Sequence, residues 1–155
     1  MISIVGVGNP ASCIAQKFVS VKNYKVYQLN DKVERHTKYK RRIKSFENPE
    51  EYENNIPDLK KFFAEVNTQV QVFIVGSTMS SNYSLGILEQ LKDKQIEVFY
   101  IKPDSELLTG IPKLVDKVVF SVLQEYARSG LLKSLTVISN ELLENHLGDV
   151  PIKKY

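Results

Sequence analysis

Gly6, Gly8 and Ala11 stand in the spacing G-x-G-x-x-A at the start of the chain, within Ile-Ser-Ile-Val-Gly-Val-Gly-Asn-Pro-Ala. A short apolar strand there runs into a tight turn and then a helix. Gly8 lets the backbone turn sharply and approach a ligand with no side chain in the way. The helix behind it points unpaired N–H groups and a positive dipole end at whatever sits above the turn, which suits a phosphate. The same glycines also serve tight strand-to-helix turns that bind nothing. A second polar segment, Gly76-Ser-Thr-Met-Ser-Ser-Asn82, lies between an apolar run and a helical pattern. Its hydroxyls and N–H groups suit phosphate oxygens, and Ser81 or Asn82 equally suits a helix cap. Asn140 before Glu141 is either a cap or an amide that reads a base edge. Asp31, after the second apolar run, is placed to bind a ribose hydroxyl in a dinucleotide site. Cys13 near the first helix start is either a thiol activated by the helix end or, the favoured reading, a small buried residue.

The elements that must position these residues alternate. Strands are expected at Ile2–Val7, Tyr24–Leu29, Val70–Gly76, Glu97–Ile101 and Leu135–Ile138, from apolar runs stopped by turn residues. Helices are expected at Pro10–Val19 with Asn9 as cap, Pro49–Val66, Asn82–Lys92, Ile111–Arg128 and from Glu141 to Leu147. This alternation implies an α/β fold, a Rossmann-like three-layer domain with a mostly parallel sheet and helices on both faces. The aromatic residues Phe62, Phe63, Phe73, Phe99, Tyr100, Phe120 and Tyr126 fall on apolar faces and read as core. Between Asp31 and Asn48, Lys32, Arg35, Lys38, Lys40, Arg41, Arg42 and Lys44 form a basic cluster. It reads first as a solvated loop or edge strand, and otherwise as a patch for phosphate or an acidic partner.

Composition bounds the rest. The 155 residues suffice for one domain, and 43% hydrophobic with 25% charged residues is ordinary for a globular chain. No apolar run approaches the about 20 residues that span a bilayer. The net charge of +3 is too small to argue for nucleic acid. A single cysteine excludes an internal disulfide and points to a reducing compartment, or at least to no need for an oxidising one, so a cytoplasmic setting is expected. Two distant histidines without cysteine partners make no zinc set, and no residue is assigned as catalytic or metal-ligating.

Taken in order, these segments resemble the GTP-binding half of the tubulin/FtsZ family. The first strand, turn and helix, Ile-Val-Gly-Val-Gly-Asn-Pro-Ala-Ser-Cys, resemble that family's phosphate turn. Gln-Leu-Asn-Asp31 resembles its second strand end, and Asn48-Pro49-Glu50 the start of the helix before the central strand. Val-Phe-Ile-Val-Gly76 and its polar loop stand where the family has a glycine-rich signature. Ile-Lys-Pro103 with Gly110 resembles the loop near the ribose, and Thr-Val-Ile-Ser-Asn140 the strand and amide that recognise guanine. The resemblance implies GTP or GDP, with magnesium, held by Gly8, Asn9, Ser12, Cys13, Gly76, Ser77, Thr78, Ser80, Ser81, Asn82, Pro103, Glu106 and Asn140. It implies head-to-tail self-assembly into filaments of a cytoskeletal kind. It also implies little or no hydrolysis by this chain alone, because in the family the water-activating acidic residues come from a second domain. Residues 1–155 then form one nucleotide-binding domain, the front part of a longer protein or a single-domain relative. Where the family has a run of glycines, this loop has one, and Pro10 removes an N–H donor from the first turn. A degenerate member that carries no nucleotide and serves as a structural or protein-interaction module is therefore the alternative. An NAD-type dinucleotide-binding domain comes third.

Overall fold

The computed structural model describes residues 1–104 and 107–139. Strands β1 (Ile2–Val7), β2 (Tyr24–Asn30), β3 (Lys40–Arg42), β4 (Gln69–Val75), β5 (Gln95–Lys102) and β6 (Ser134–Ser139) form one sheet in the order β3-β2-β1-β4-β5-β6. Every pairing is parallel, so the mostly parallel sheet of the sequence reading is wholly parallel among the described residues. This is the doubly wound order in which the chain starts at the centre, works out to one edge, then returns to build the other.

Helices α1 (Asn9–Gln16), α2 (Pro49–Asn54), α3 (Ser84–Gln90) and α4 (Gly110–Ser129) join the strands. Side-chain alternation divides them between two faces. Ile4, Val26 and Phe73 face Ala11 and Ala15 of α1. Val5, Leu29, Val72, Ile74, Val98 and Tyr100 face the opposite way, toward Tyr52 of α2, Ile87 and Leu88 of α3, and Val115, Val119 and Leu123 of α4. The result is a three-layer α/β domain, with one helix on one face and three on the other among the described residues. Parallel strands covered on both sides are apolar along their length, which is why β4 was legible as the run Val-Gln-Val-Phe-Ile-Val. Helix α4 ends at Gly130 in the left-handed region at φ 87°, a normal glycine stop.

Four expectations need correction. The helix expected over Pro49–Val66 stops at Asn54. Pro57 disfavours helical backbone at the residue before it and lacks an N–H. Gln90 then holds the irregular stretch in place: its side chain donates to the Pro57 carbonyl at 2.8 Å and accepts from the Leu59 N–H at 2.7 Å. Leu59, Phe62, Phe63 and Val66 still reach the core without a helix. The first helix starts one residue early and ends at Gln16, with Gly8 rather than Asn9 in the cap position. The helix expected at Asn82–Lys92 is a 3-10 turn, Met79–Tyr83, running into α3. Cys13 is exposed, not buried, because Ala11, Ser12 and Ala15 take the inner face of α1 and Cys13 falls between them on the outside. The basic stretch does contain an edge strand, β3. The helix expected from Glu141 lies outside the described residues.

Candidate functional site

The order of the sheet sets the site. From β1 the chain leaves to α1 on one face, and from β4 it leaves to the 3-10 turn and α3 on the other. The two connections separate above neighbouring strand ends and leave a crevice there. Gly8 sits on one lip at φ 88°, its N–H donating to the Leu29 carbonyl at 2.6 Å. A methyl group added at Gly8 would stand 2.0 Å from the Ser80 hydroxyl oxygen, so the second lip, the 76–82 loop, closes directly onto Gly8. Gly6 solves a different problem. Its missing side chain admits the α1 backbone, since an added Cβ would meet the Ala11 carbonyl oxygen at 2.8 Å and Ser12 Cα at 2.9 Å. No side chain caps α1. Beside this helix end lies a cleft of about 250 Å³ lined by Gly8, Asn9, Lys32, Lys44, Met79 and Ser80. Two lysines and a helix N-terminus make its field positive. Asp31 also borders it, with Ser45 donating to its carboxylate at 2.6 Å.

The 76–82 loop is shaped by its own hydroxyls. Thr78 donates to the Val75 carbonyl at 2.7 Å, Ser81 to the Thr78 carbonyl at 2.6 Å, and the Asn82 amide to the Met79 carbonyl at 2.8 Å. Such side-chain bonds replace the main-chain ladder over a tight turn. Ser77 adopts a left-handed φ of 67°, unusual for a residue with a side chain. Ser81 and Asn82 are buried, and so is Ser12, whose hydroxyl lies 3.4 Å from the carbonyls of Gly6 and Leu29. Of the expected site residues, Gly8, Asn9 and Ser80 therefore meet at the cleft. Ser12, Thr78, Ser81 and Asn82 direct their polar groups at main chain, and Cys13 faces an adjoining groove. Pro103 lies under Gly76, where an added Cβ would meet its Cδ at 2.8 Å. Glu106 and Asn140 lie outside the described residues.

One group at this end of the sheet escaped the sequence reading. Asp116 of α4 is almost wholly buried, accepts from the Tyr100 hydroxyl at 2.5 Å, and pairs with the Lys102 ammonium at 2.8 Å. The Lys102 ammonium also stands 4.7 Å from the centre of the Phe120 ring. Burial, then the hydrogen bond to Asp116, push the Tyr100 phenol well above its ordinary value, so it stays a donor. Gly76 rests on this group: a Cβ there would meet the Tyr100 oxygen at 2.4 Å and Asp116 Oδ1 at 2.7 Å. The network therefore supports the start of the loop that closes over Gly8. The available signal was a carboxylate beside Val115 on the inward stripe of α4 that continues through Val119 and Leu123.

Among the described residues no three His, Cys, Asp or Glu side chains gather as a metal site. No described helix is long and apolar enough to cross a membrane. No protein-family model matches the chain, and no curated protein matches it.

Proposed function

We propose that this chain is a nucleotide-binding module of the tubulin/FtsZ-like kind, taking the phosphates of GTP or GDP in the cleft lined by Gly8, Asn9, Lys32, Lys44 and Ser80. The observation that carries the reading is Gly8, at positive φ, at the point where the sheet order reverses, with an uncapped helix end and Lys32 and Lys44 on one cleft. A phosphate there gains N–H donors, the helix dipole and two cations. Guanine selectivity, magnesium and head-to-tail assembly come from the resemblance alone, and a cytoplasmic setting from the single cysteine. Phosphoryl transfer to water needs a positioned water and charge stabilisation, and little or no hydrolysis by this chain alone is what the resemblance implies.

The Ser80 hydroxyl favours a second reading. It occupies the space above Gly8 that a phosphate would use, and the loop hydroxyls are bonded to main chain. On that reading the fold is a scaffold without nucleotide. Calorimetric titration with GTP, GDP, ATP and NAD, with and without magnesium, separates these. Guanine-selective heat that disappears in Gly8→Ala supports the module. NAD binding alone moves the chain to the dinucleotide class. Absence of heat with all four leaves the scaffold.

A further inference from the structure

The basic stretch after β2 has a second consequence, on the face that carries α1. In a doubly wound sheet a helix normally crosses from β2 to β3. Here residues 31–39 make the crossing without one. The polar side chains Gln28 and Asn30 share that face with Val26, in register with Lys40 and Arg42 of β3. They are only 7% exposed, yet they line open grooves rather than the underside of a helix. Two grooves, of about 600 and about 420 Å³, meet along Asn9, Gln28 and Asn30.

The floor of this joint groove is amide and the rim is cationic. Asn30 accepts the Lys32 N–H at 2.8 Å, and its own NH₂ has no partner among the described residues. Gln28 donates to Gln16, which leaves the Gln28 oxygen and the Gln16 NH₂ to a further partner. Gln16 is exposed, and the amide atoms of Gln28 and Asn30 that no protein group pairs with open to the groove, where water or a ligand can meet them. Lys17 stands on the rim of the larger groove, and Lys32, Arg35 and Lys40 on the rim of the smaller, against one carboxylate, Glu34. The rim is held in advance. Arg42 donates to the Val33 carbonyl at 2.6 Å and the Glu34 carbonyl at 2.9 Å, and the Thr37 N–H donates to the Lys40 carbonyl at 2.9 Å.

We propose that this groove is a second ligand site, adjoining the Gly8–Ser80 cleft and sharing Asn9 and Lys32 with it, and that it takes a phosphorylated sugar. Side-chain amides offer a donor and an acceptor together, which matches neighbouring hydroxyls. Arginine and lysine at the rim match the phosphate. The sugar phosphate is either free or the ribose phosphate of a nucleotide.

Cys13 supplies the test. It is the sole cysteine, it is exposed, and it lines the larger groove but not the Gly8–Ser80 cleft. The rate of its labelling by a maleimide is measured with ribose 5-phosphate, AMP, GMP, inorganic phosphate and ribose. Ribose 5-phosphate or a nucleoside monophosphate is expected to slow labelling at least threefold, with inorganic phosphate and ribose much weaker. Protection by the free sugar phosphate identifies that source, and protection by AMP or GMP alone identifies a nucleotide. Protection should vanish in Asn30→Ala and in the exposed pair Arg35→Glu with Lys40→Glu, and should persist in Gly8→Ala. Absence of protection by every ester overturns the proposal, as does protection equalled by inorganic phosphate or unaffected by the charge reversal. Loss of protection in Gly8→Ala would assign the ligand to the first cleft instead.

Discussion

Replacing Asp116 tests whether the buried group beneath Gly76 holds the upper end of the sheet together. In Asp116→Ala the Tyr100 hydroxyl, on a residue with no exposed surface, loses its acceptor. A buried donor left unpaired costs about 1–3 kcal/mol. Lys102 loses its ion pair, but its side chain is 32% exposed and can turn to water, so that part is worth about 1 kcal/mol. The side-chain volume removed beside Tyr100 adds a cavity cost, and the sum is about 3 kcal/mol. Asp116→Asn keeps the volume and an oxygen facing Tyr100 while removing the charge, and is expected to cost about 1 kcal/mol. Tyr100→Phe leaves the Lys102 pair intact and is likewise expected near about 1 kcal/mol. Urea unfolding followed by circular dichroism gives the three values from the shift in midpoint at constant slope. The reasoning is refuted if Asp116→Ala lies within about 0.5 kcal/mol of the unaltered chain, or if the asparagine and alanine variants are equally unstable.

Gly8→Ala places a side chain at φ 88° and against the Ser80 hydroxyl; it is expected to destabilise by about 2 kcal/mol, read by thermal unfolding, and to abolish GDP binding in calorimetry. Gly6→Ala meets α1 main chain at 2.8 and 2.9 Å, which cannot swing aside, so a loss of about 1–3 kcal/mol is expected from overpacking. Lys32→Glu with Lys44→Glu should weaken GDP binding at least about tenfold and flatten its salt dependence; unchanged affinity would move the phosphates elsewhere. Burial, and then Tyr52, push the Tyr83 phenol up from 10.0 to about 12, and burial pushes Tyr27, Tyr100 and Tyr126 the same way. Each folded phenol keeps its proton to higher pH than the unfolded one. Their contribution is complete below pH about 10 and is lost progressively above it, for Tyr83 as pH rises through about 12. Melting temperatures measured from pH 8 to pH 11 should fall only above about pH 10, and a flat profile would contradict the burial of these hydroxyls.

The strands, the α/β class and the polar character of the strand ends were written in local pattern. Val70 to Val75 had to be a covered strand because a run so apolar has no other favourable place. The basic stretch from Asp31 to Asn48 read as a solvated loop or an edge strand, because either leaves its cations in water, and only the structure placed the strand at Lys40–Arg42. The Gly6, Gly8, Ala11 spacing located the turn and the start of the helix behind it, though not the helix's end or cap residue, for the physical reason that positive φ and close approach both exclude side chains. Periodicity misjudged Pro49–Val66, where Pro57 broke the helix and Gln90, far along the chain, supplied the hydrogen bonds that a helix would have supplied. Local pattern was also blind to contacts between loops. That Ser80 covers Gly8, that Ser81 and Asn82 turn inward, and that Asp116 joins Tyr100 and Lys102 under Gly76 all depend on strands β1, β4 and β5 lying side by side. Residue type and spacing determined what each segment buries. Only the packing of distant segments decided which polar groups remain free to meet a ligand.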